Sequence, residues 1–237
     1  MNVIEFAPKA NETFFTEYDN VSLDNVETID NYYARTKIIA EHKMNEARSK
    51  GLNVNVYRCG RIMFEYDTGV MQNNIGNNAS CLIIKAFLTL GIVPDIPEYT
   101  LDFTFVDTTA KGMAAIICSK ALNNSTFHMT NPYLTSFSDI LSNEDTIGHG
   151  RKVSIDEFLA ECVKSFEAND ENKDYFRDIL IHAFNDGNAE SSMDYCTYEA
   201  TDRTENAMKR LGVEWKKVTP KVFNRFILHC KEKNFLD

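Results

Sequence analysis

Asn31-Tyr32-Tyr33-Ala34-Arg35-Thr36-Lys37-Ile38-Ile39-Ala40-Glu41 opens a stretch that runs through Gly51 into Leu52-Asn53-Val54-Asn55-Val56-Tyr57-Arg58. Ile38, Ile39, His42, Met44 and Ala47 fall among charged residues at helical spacing, which predicts an amphipathic helix over 28–50. Gly51 stands where a helix ends, because a left-handed C-terminal turn costs glycine no Cβ clash. The next segment alternates and is rich in β-branched residues, so it reads as a strand, and Cys59-Gly60-Arg61-Ile62 turns out of its end. Helix, glycine, strand and turn form the second half of an α/β crossover unit.

Within the helix, Tyr33 and Lys37 are four residues apart and therefore share one face. A free phenol has a pKa of about 10, and a neighbouring cation favours the phenolate and draws that value down. The pair thus suits a general acid, with Tyr33 as the proton donor and Lys37 as the charge that tunes it. A Tyr four residues before a Lys also arises by chance, so the segments around the pair have to carry the argument.

Composition limits the partners. The 237 residues carry a formal net charge of −10 and no basic cluster, which argues against nucleic acid, whose phosphates need a basic face. The 43% hydrophobic content is enough for a buried core. The six cysteines, at 59, 81, 118, 162, 196 and 230, contain no Cys-x-x-Cys, so neither a zinc site nor a disulfide framework is expected and no metal is assigned. They read as buried thiols in a reducing compartment. No signal-peptide core opens the chain, and the longest apolar run, 81–93, contains Lys85 and is too short to span a bilayer. A cytoplasmic protein with no membrane partner is expected.

Further along, a helix is expected over 79–90, capped by Gly91. Leu101-Asp102-Phe103-Thr104-Phe105-Val106-Asp107 reads as a strand whose last residue N-caps a helix over 108–122. Ser125-Thr126-Phe127-His128-Met129-Thr130 reads as a buried strand with His128 as a satisfied core histidine. From 135 onward the pattern is mostly helical, with helices expected over 137–142, 155–166, 174–184, 202–211 and 220–233. Ser154 and Glu157 have the spacing of a capping box. The polar segment 10–30, with Phe14, Phe15 and Tyr18 interspersed, reads as a loop leading to the first helix. A dinucleotide-binding fold normally opens with a strand, a Gly-rich turn and a helix, and no G-x-x-G-x-x-G or related run occurs in the sequence.

Four segments together resemble the extended short-chain dehydrogenase/reductases. More narrowly, they resemble the thioester reductase domains that end some non-ribosomal peptide synthetases and carboxylic acid reductases. They are Tyr33 to Glu41, Val54 to Gly60, Leu101 to Ala110, and Thr126 to Pro132. The resemblance implies the C-terminal part of a Rossmann-like α/β fold lacking the N-terminal dinucleotide-binding strands. Residues 1–134 would form the Rossmann-like part, with a substrate-region insertion near 63–100, and 135–237 a mostly helical substrate subdomain. It further implies Tyr33 and Lys37 as catalytic and cofactor-contacting residues, and Cys59, Gly60 and Arg61 as the turn against the nicotinamide of NADPH. Arg61 stands where the family commonly has Asn. Phe15-Thr16-Glu17-Tyr18-Asp19 resembles the family's acidic segment before the helix, either a solvated loop anchored by aromatics or a substrate contact. The family's catalytic Ser or Thr lies further upstream of its Tyr than Thr13, Thr16 or Ser22 do here, so none of these takes that role. The implied partners are a phosphopantetheinylated carrier protein or domain and the upstream half of the reductase domain.

Three readings follow. The first is NADPH-dependent reductive release of a carrier-bound acyl or peptidyl thioester as aldehyde or alcohol, incomplete in this chain alone. The second is another extended family member, such as a sugar-nucleotide epimerase or dehydratase. Residues 151–200 hold 12 acidic against 5 basic residues, a poor setting for an anionic sugar nucleotide. The third is a non-catalytic fragment or partner-binding module.

Overall fold

The computed structural model describes residues 14–29, 32–96, 100–168 and 198–236. In chain order the elements begin with β1 (Phe14–Phe15), α1 (Tyr32–Ser49), β2 (Val56–Cys59), β3 (Ile62–Met63), α2 (Ala79–Leu90), β4 (Ile92–Pro94), β5 (Thr100–Asp102), β6 (Thr104–Phe105) and α3 (Val106–Cys118). They continue with β7 (Thr126–Met129), β8 (Leu134–Ser136), α4 (Phe137–Ser142), β9 (Arg151–Val153), α5 (Ile155–Ala168), β10 (Tyr198–Glu199), α6 (Asp202–Arg210) and α7 (Pro220–Glu232). β1 pairs with β10, β2 with β7, β3 with β6 and β4 with β9, every one of them parallel. This is the α/β class expected from the sequence. The helix expected over 174–184 lies outside the described residues.

The chain divides into two compact units. One comprises Met1–Met63, Asp102–Tyr133 and Tyr195–Lys216, the other Phe64–Leu101, Leu134–Asp194 and Lys217–Asp237. In the second unit Phe64 stacks on Phe226 at 4.8 Å, Phe223 closes the same cluster, and Phe87 packs against Phe137 and Phe158. Gly69 is required there by close approach: its φ is +77° and an added Cβ would stand 2.3 Å from the backbone of Arg225. Ser154 caps α5 by accepting the N–H of Glu157, and Gly91 ends α2 with φ +64°, both as expected.

The first unit is held by buried polar groups as well as by an apolar cluster of Ile116, Phe127, Met129, Met208 and Trp215. Arg58, on β2, is 6% exposed, and each of its five N–H groups has an acceptor. Nε donates to Glu41 at 3.2 Å, Nη1 to the carbonyl of Thr16 and to Nε2 of His128, and Nη2 to the carbonyl of Asp19 and to Glu41 at 2.5 Å. The guanidinium also lies over the Phe15 ring, 4.5 Å from its centroid. Because Nε2 of His128 accepts from Arg58, the proton of the neutral ring sits on Nδ1, which donates to the carbonyl of Ala200 at 2.8 Å. His128 is therefore a satisfied core histidine.

Within Phe15-Thr16-Glu17-Tyr18-Asp19, Tyr18 and Asp19 are exposed and Glu17 is turned into the core. Glu17 is 6% exposed, and its carboxylate accepts the backbone N–H of Thr204 at 2.9 Å, the Thr204 hydroxyl and the backbone N–H of His128. It thereby caps the first turn of α6 and closes one N–H on the outer edge of β7. A second expectation also needs correction. Asp107 lies inside the first turn of α3, where it faces the helix dipole and pairs with Lys111, and the N-cap position is Phe105.

Among the described cysteines, Cys81, Cys162 and Cys230 are buried, and their surroundings push the thiols up to about 12. Cys59 is half-buried, and Cys118 is exposed, contrary to the expectation for it. No described helix is long and apolar enough to cross a membrane.

Burial holds the His128 imidazole down to about 4 against an ordinary 6.5. Between those values the unfolded chain binds a proton that the folded chain does not, so the free energy of unfolding falls as pH drops through this window, by at most about 1.4 kcal/mol per pH unit. Urea unfolding at neutral and mildly acidic pH is expected to show this slope, flattened in His128→Asn. An equally steep profile in the variant would exclude His128 as its source.

Candidate functional site

Tyr33 lies in the first turn of α1. The approach to that turn is fixed by Arg35, whose Nη2 donates to the carbonyls of Glu27 and Ile29, each at 2.7 Å, while Nη1 meets the Glu27 carboxylate at 3.3 Å. Tyr33 is 51% exposed, and the ammonium of Lys37 lies over its ring, 5.1 Å from the centroid. The four-residue spacing thus brings cation and phenol together, with the charge against the ring face. Four residues further along the helix advance the side-chain direction by about 40°. Two such steps carry the series Tyr33, Lys37, Glu41 from solvent into the core, where Glu41 is 7% exposed and meets Arg58.

Cys59 closes β2. Burial raises its thiol above the ordinary value, and the charge of Lys37 offsets part of that rise. The parallel register places Cys59 beside Met129, and the N–H of Gly60 continues the ladder to the Met129 carbonyl at 3.2 Å.

Gly60 and Arg61 belong to a second cluster, reached through the Cys59–Gly60–Arg61 backbone. The N–H of Arg61 donates to Oδ2 of Asp102 at 2.7 Å, and its Nη1 meets Oδ1 at 3.2 Å. The Thr104 hydroxyl donates to Oδ2 of Asp102 at 2.9 Å and accepts the N–H of Asn131 at 3.0 Å. Asn131, fully buried, is anchored by donating to the carbonyls of Phe103 and Lys216. A Cβ on Gly60 would stand 1.9 Å from Oδ2 of Asp102, 2.8 Å from Oγ1 of Thr104 and 2.9 Å from Cγ2 of Thr130. Glycine is needed here for close approach by a carboxylate.

Asp102, Thr104 and Asn131 were missed as site residues by sequence reasoning. The available signal was an acid in an otherwise apolar alternating strand, together with Asn131 before Pro132. Among the described residues there is no cluster of side chains suited to a metal. Tyr33 and Lys37 are both exposed, so their donors are open to a ligand. The Gly-rich turn that would hold a pyrophosphate is not in this sequence.

Residues 7–113 match a family of NAD-binding domains whose model is described as male sterility protein. A linear gramicidin synthase chain of Brevibacillus parabrevis is 26% identical over 227 residues, covering 95% of this chain and 4% of that protein. The terminal R domain from the myxalamid PKS-NRPS biosynthetic pathway superposes with a TM-score of 0.83 at 19% identity, covering 99% of this chain and 57% of that one. A thiolation-reductase di-domain from an archaeal non-ribosomal peptide synthetase gives 0.74 at 23% identity, covering 100% and 47%. The chain therefore spans about half the length of these reductase structures and a small part of the synthetase. The resemblance read from the sequence segments is borne out.

Gly60→Ala is expected to destabilise the chain by about 1–3 kcal/mol through overpacking. Combined with Asp102→Ala, its cost should fall short of the sum of the single variants by about 0.5 kcal/mol or more, measured by denaturant unfolding. Additive costs would show that the carboxylate is not what excludes a Cβ.

Proposed function

We infer, for a chain akin to the terminal reductase domains of peptide synthetases, that it is the proton-donating and substrate-side portion of a thioester reductase. It would work with a dinucleotide-binding half and a phosphopantetheinylated carrier protein in the cytoplasm. The observation that carries this reading is the exposed Tyr33 phenol with Lys37 against its ring, in a chain whose residues 7–113 match an NAD-binding family.

Reduction of a thioester to an aldehyde takes up one hydride and one proton and releases the carrier's thiol. NADPH, when bound, supplies the hydride. Tyr33 donates its phenolic proton to the carbonyl oxygen as negative charge develops there. Lys37 holds the ribose hydroxyls and keeps its ammonium against the Tyr33 ring. Cys59, Gly60 and Arg61 form the turn facing the nicotinamide end, and a second round at the same residues would take the aldehyde to an alcohol.

The test pairs this chain with a dinucleotide-binding half and follows NADPH oxidation with an acyl-phosphopantetheinyl carrier. Tyr33→Phe is expected to lower kcat by about a hundredfold or more while leaving the NADPH dissociation constant within about twofold. Lys37→Met should weaken NADPH binding as well as turnover. Wild-type rates in Tyr33→Phe would rule the assignment out.

A further inference from the structure

Asp102 ends β5, is 6% exposed, and directs its carboxylate into the space that a side chain at residue 60 would fill. A buried carboxylate is costly unless donors replace its water, and here each donor is itself held in place. The Thr104 hydroxyl has its acceptor side taken by the N–H of Asn131, which leaves its proton for Oδ2. The Asn131 carboxamide is tied to the carbonyls of Phe103 and Lys216 and accepts the N–H of Tyr133. At the end of this relay Oδ2 accepts the Arg61 peptide N–H at 2.7 Å, while Oδ1 meets the guanidinium of the same residue at 3.2 Å. One carboxylate thus fixes both the peptide plane of Arg61 and the direction of its side chain. The Arg61 carbonyl is held from the other side by the N–H of Thr104 at 3.3 Å.

We propose that Asp102 is a positioning residue for the Cys59–Arg61 turn: it grips the Arg61 N–H and guanidinium from behind and so sets the backbone presented to the nicotinamide end of the cofactor. What the turn faces rests on the reductase reading; what holds it rests on the hydrogen bonds. Gly60 serves this arrangement, since any larger residue would push the carboxylate off the Arg61 N–H. Arg61 serves it too, because its long cationic side chain reaches back to pair with the second carboxylate oxygen, an ion pair that a neutral Asn cannot form.

Asp102→Asn keeps an acceptor for the Arg61 N–H and loses the charge, whereas Asp102→Ala loses both. Amide hydrogen exchange in the 237-residue chain is measured for wild type and both variants, with the β7 amides as internal reference. In Asp102→Ala the Arg61 amide is expected to exchange about tenfold faster or more while the β7 amides hold their rates, and in Asp102→Asn to stay within about threefold of wild type. In the chain paired with a dinucleotide-binding half, Asp102→Ala should weaken NADPH binding about tenfold and Asp102→Asn should restore most of it, with KM for the acyl carrier within about twofold throughout. Unchanged exchange at Arg61, an equal rise across β7, or NADPH affinity that ignores a loosened turn each overturns the proposal. If wild type shows no NADPH affinity, the reductase reading fails by itself, and exchange at Arg61 alone decides whether Asp102 fixes the turn.

Discussion

The pairing of Arg58 with Glu41 inside the first unit sets where α1 lies against β2, and the candidate site depends on that placement. An unpaired guanidinium at this depth would cost several kcal/mol, so the fold has to bring acceptors to every donor. It draws them from α1, from β7 and from two carbonyls of the segment before α1. A lysine could not substitute, since one ammonium with three donors cannot reach a fork of acceptors spread around a plane. Because Glu41 is fixed in the core, Lys37 and Tyr33, one and two turns earlier, are fixed at the rim by helix geometry alone. The Tyr33–Lys37 pair inherits its position from a buried ion pair.

The same guanidinium explains the acidic segment at 15–19. Phe15 lies beneath Arg58 and stacks on His128 with ring centroids 5.8 Å apart, the carbonyls of Thr16 and Asp19 accept from Arg58, and the Asp19 side chain closes the turn on the N–H of Thr16. Glu17 reaches in the other direction, to α6 and β7. The segment therefore ties α6 to the β2–β7 sheet. Much of this segment's polar pattern serves internal bonds, while the Tyr18 side chain stays exposed.

These examples mark the limit of what the sequence made legible. Features set by neighbours along the chain were readable: α1, the glycine after it, the Gly91 end of α2, the Ser154 cap, and the Tyr33–Lys37 spacing all follow from local geometry. Asp107 misled because an acid in the first turn and an acid at the N-cap satisfy the same dipole, and only the backbone angles of Phe105 distinguish them. Glu17 and Asp102 were not readable for a different reason. Their partners stand 187 and 41 residues away, and nothing in either residue's own neighbourhood says which N–H groups will need an acceptor. Gly60 was read as a turn residue or cofactor contact, and the carboxylate of Asp102 from another strand is a further demand for glycine that the sequence did not show.

Parallel pairing brings these separate features to one end of the sheet. In the register of β2 with β7, residues 59 and 129 lie side by side, so the chain leaves both strands at the same edge, through Gly60 and through Thr130. An added Cβ at Gly60 would touch Thr130, which shows how close the two exits run. Beyond them the main chain can no longer satisfy itself through the ladder, and side chains must take over. Asp102, Thr104 and Asn131 do so for the Gly60 exit and the start of the next segment. Strand ends in a parallel sheet leave backbone groups and ordered polar side chains in one crevice, which is why ligand sites in α/β folds gather there. Here Asp102 holds the backbone at the β2 exit, and the Arg58–Glu41 pair sets the position of the helix that carries Tyr33 and Lys37.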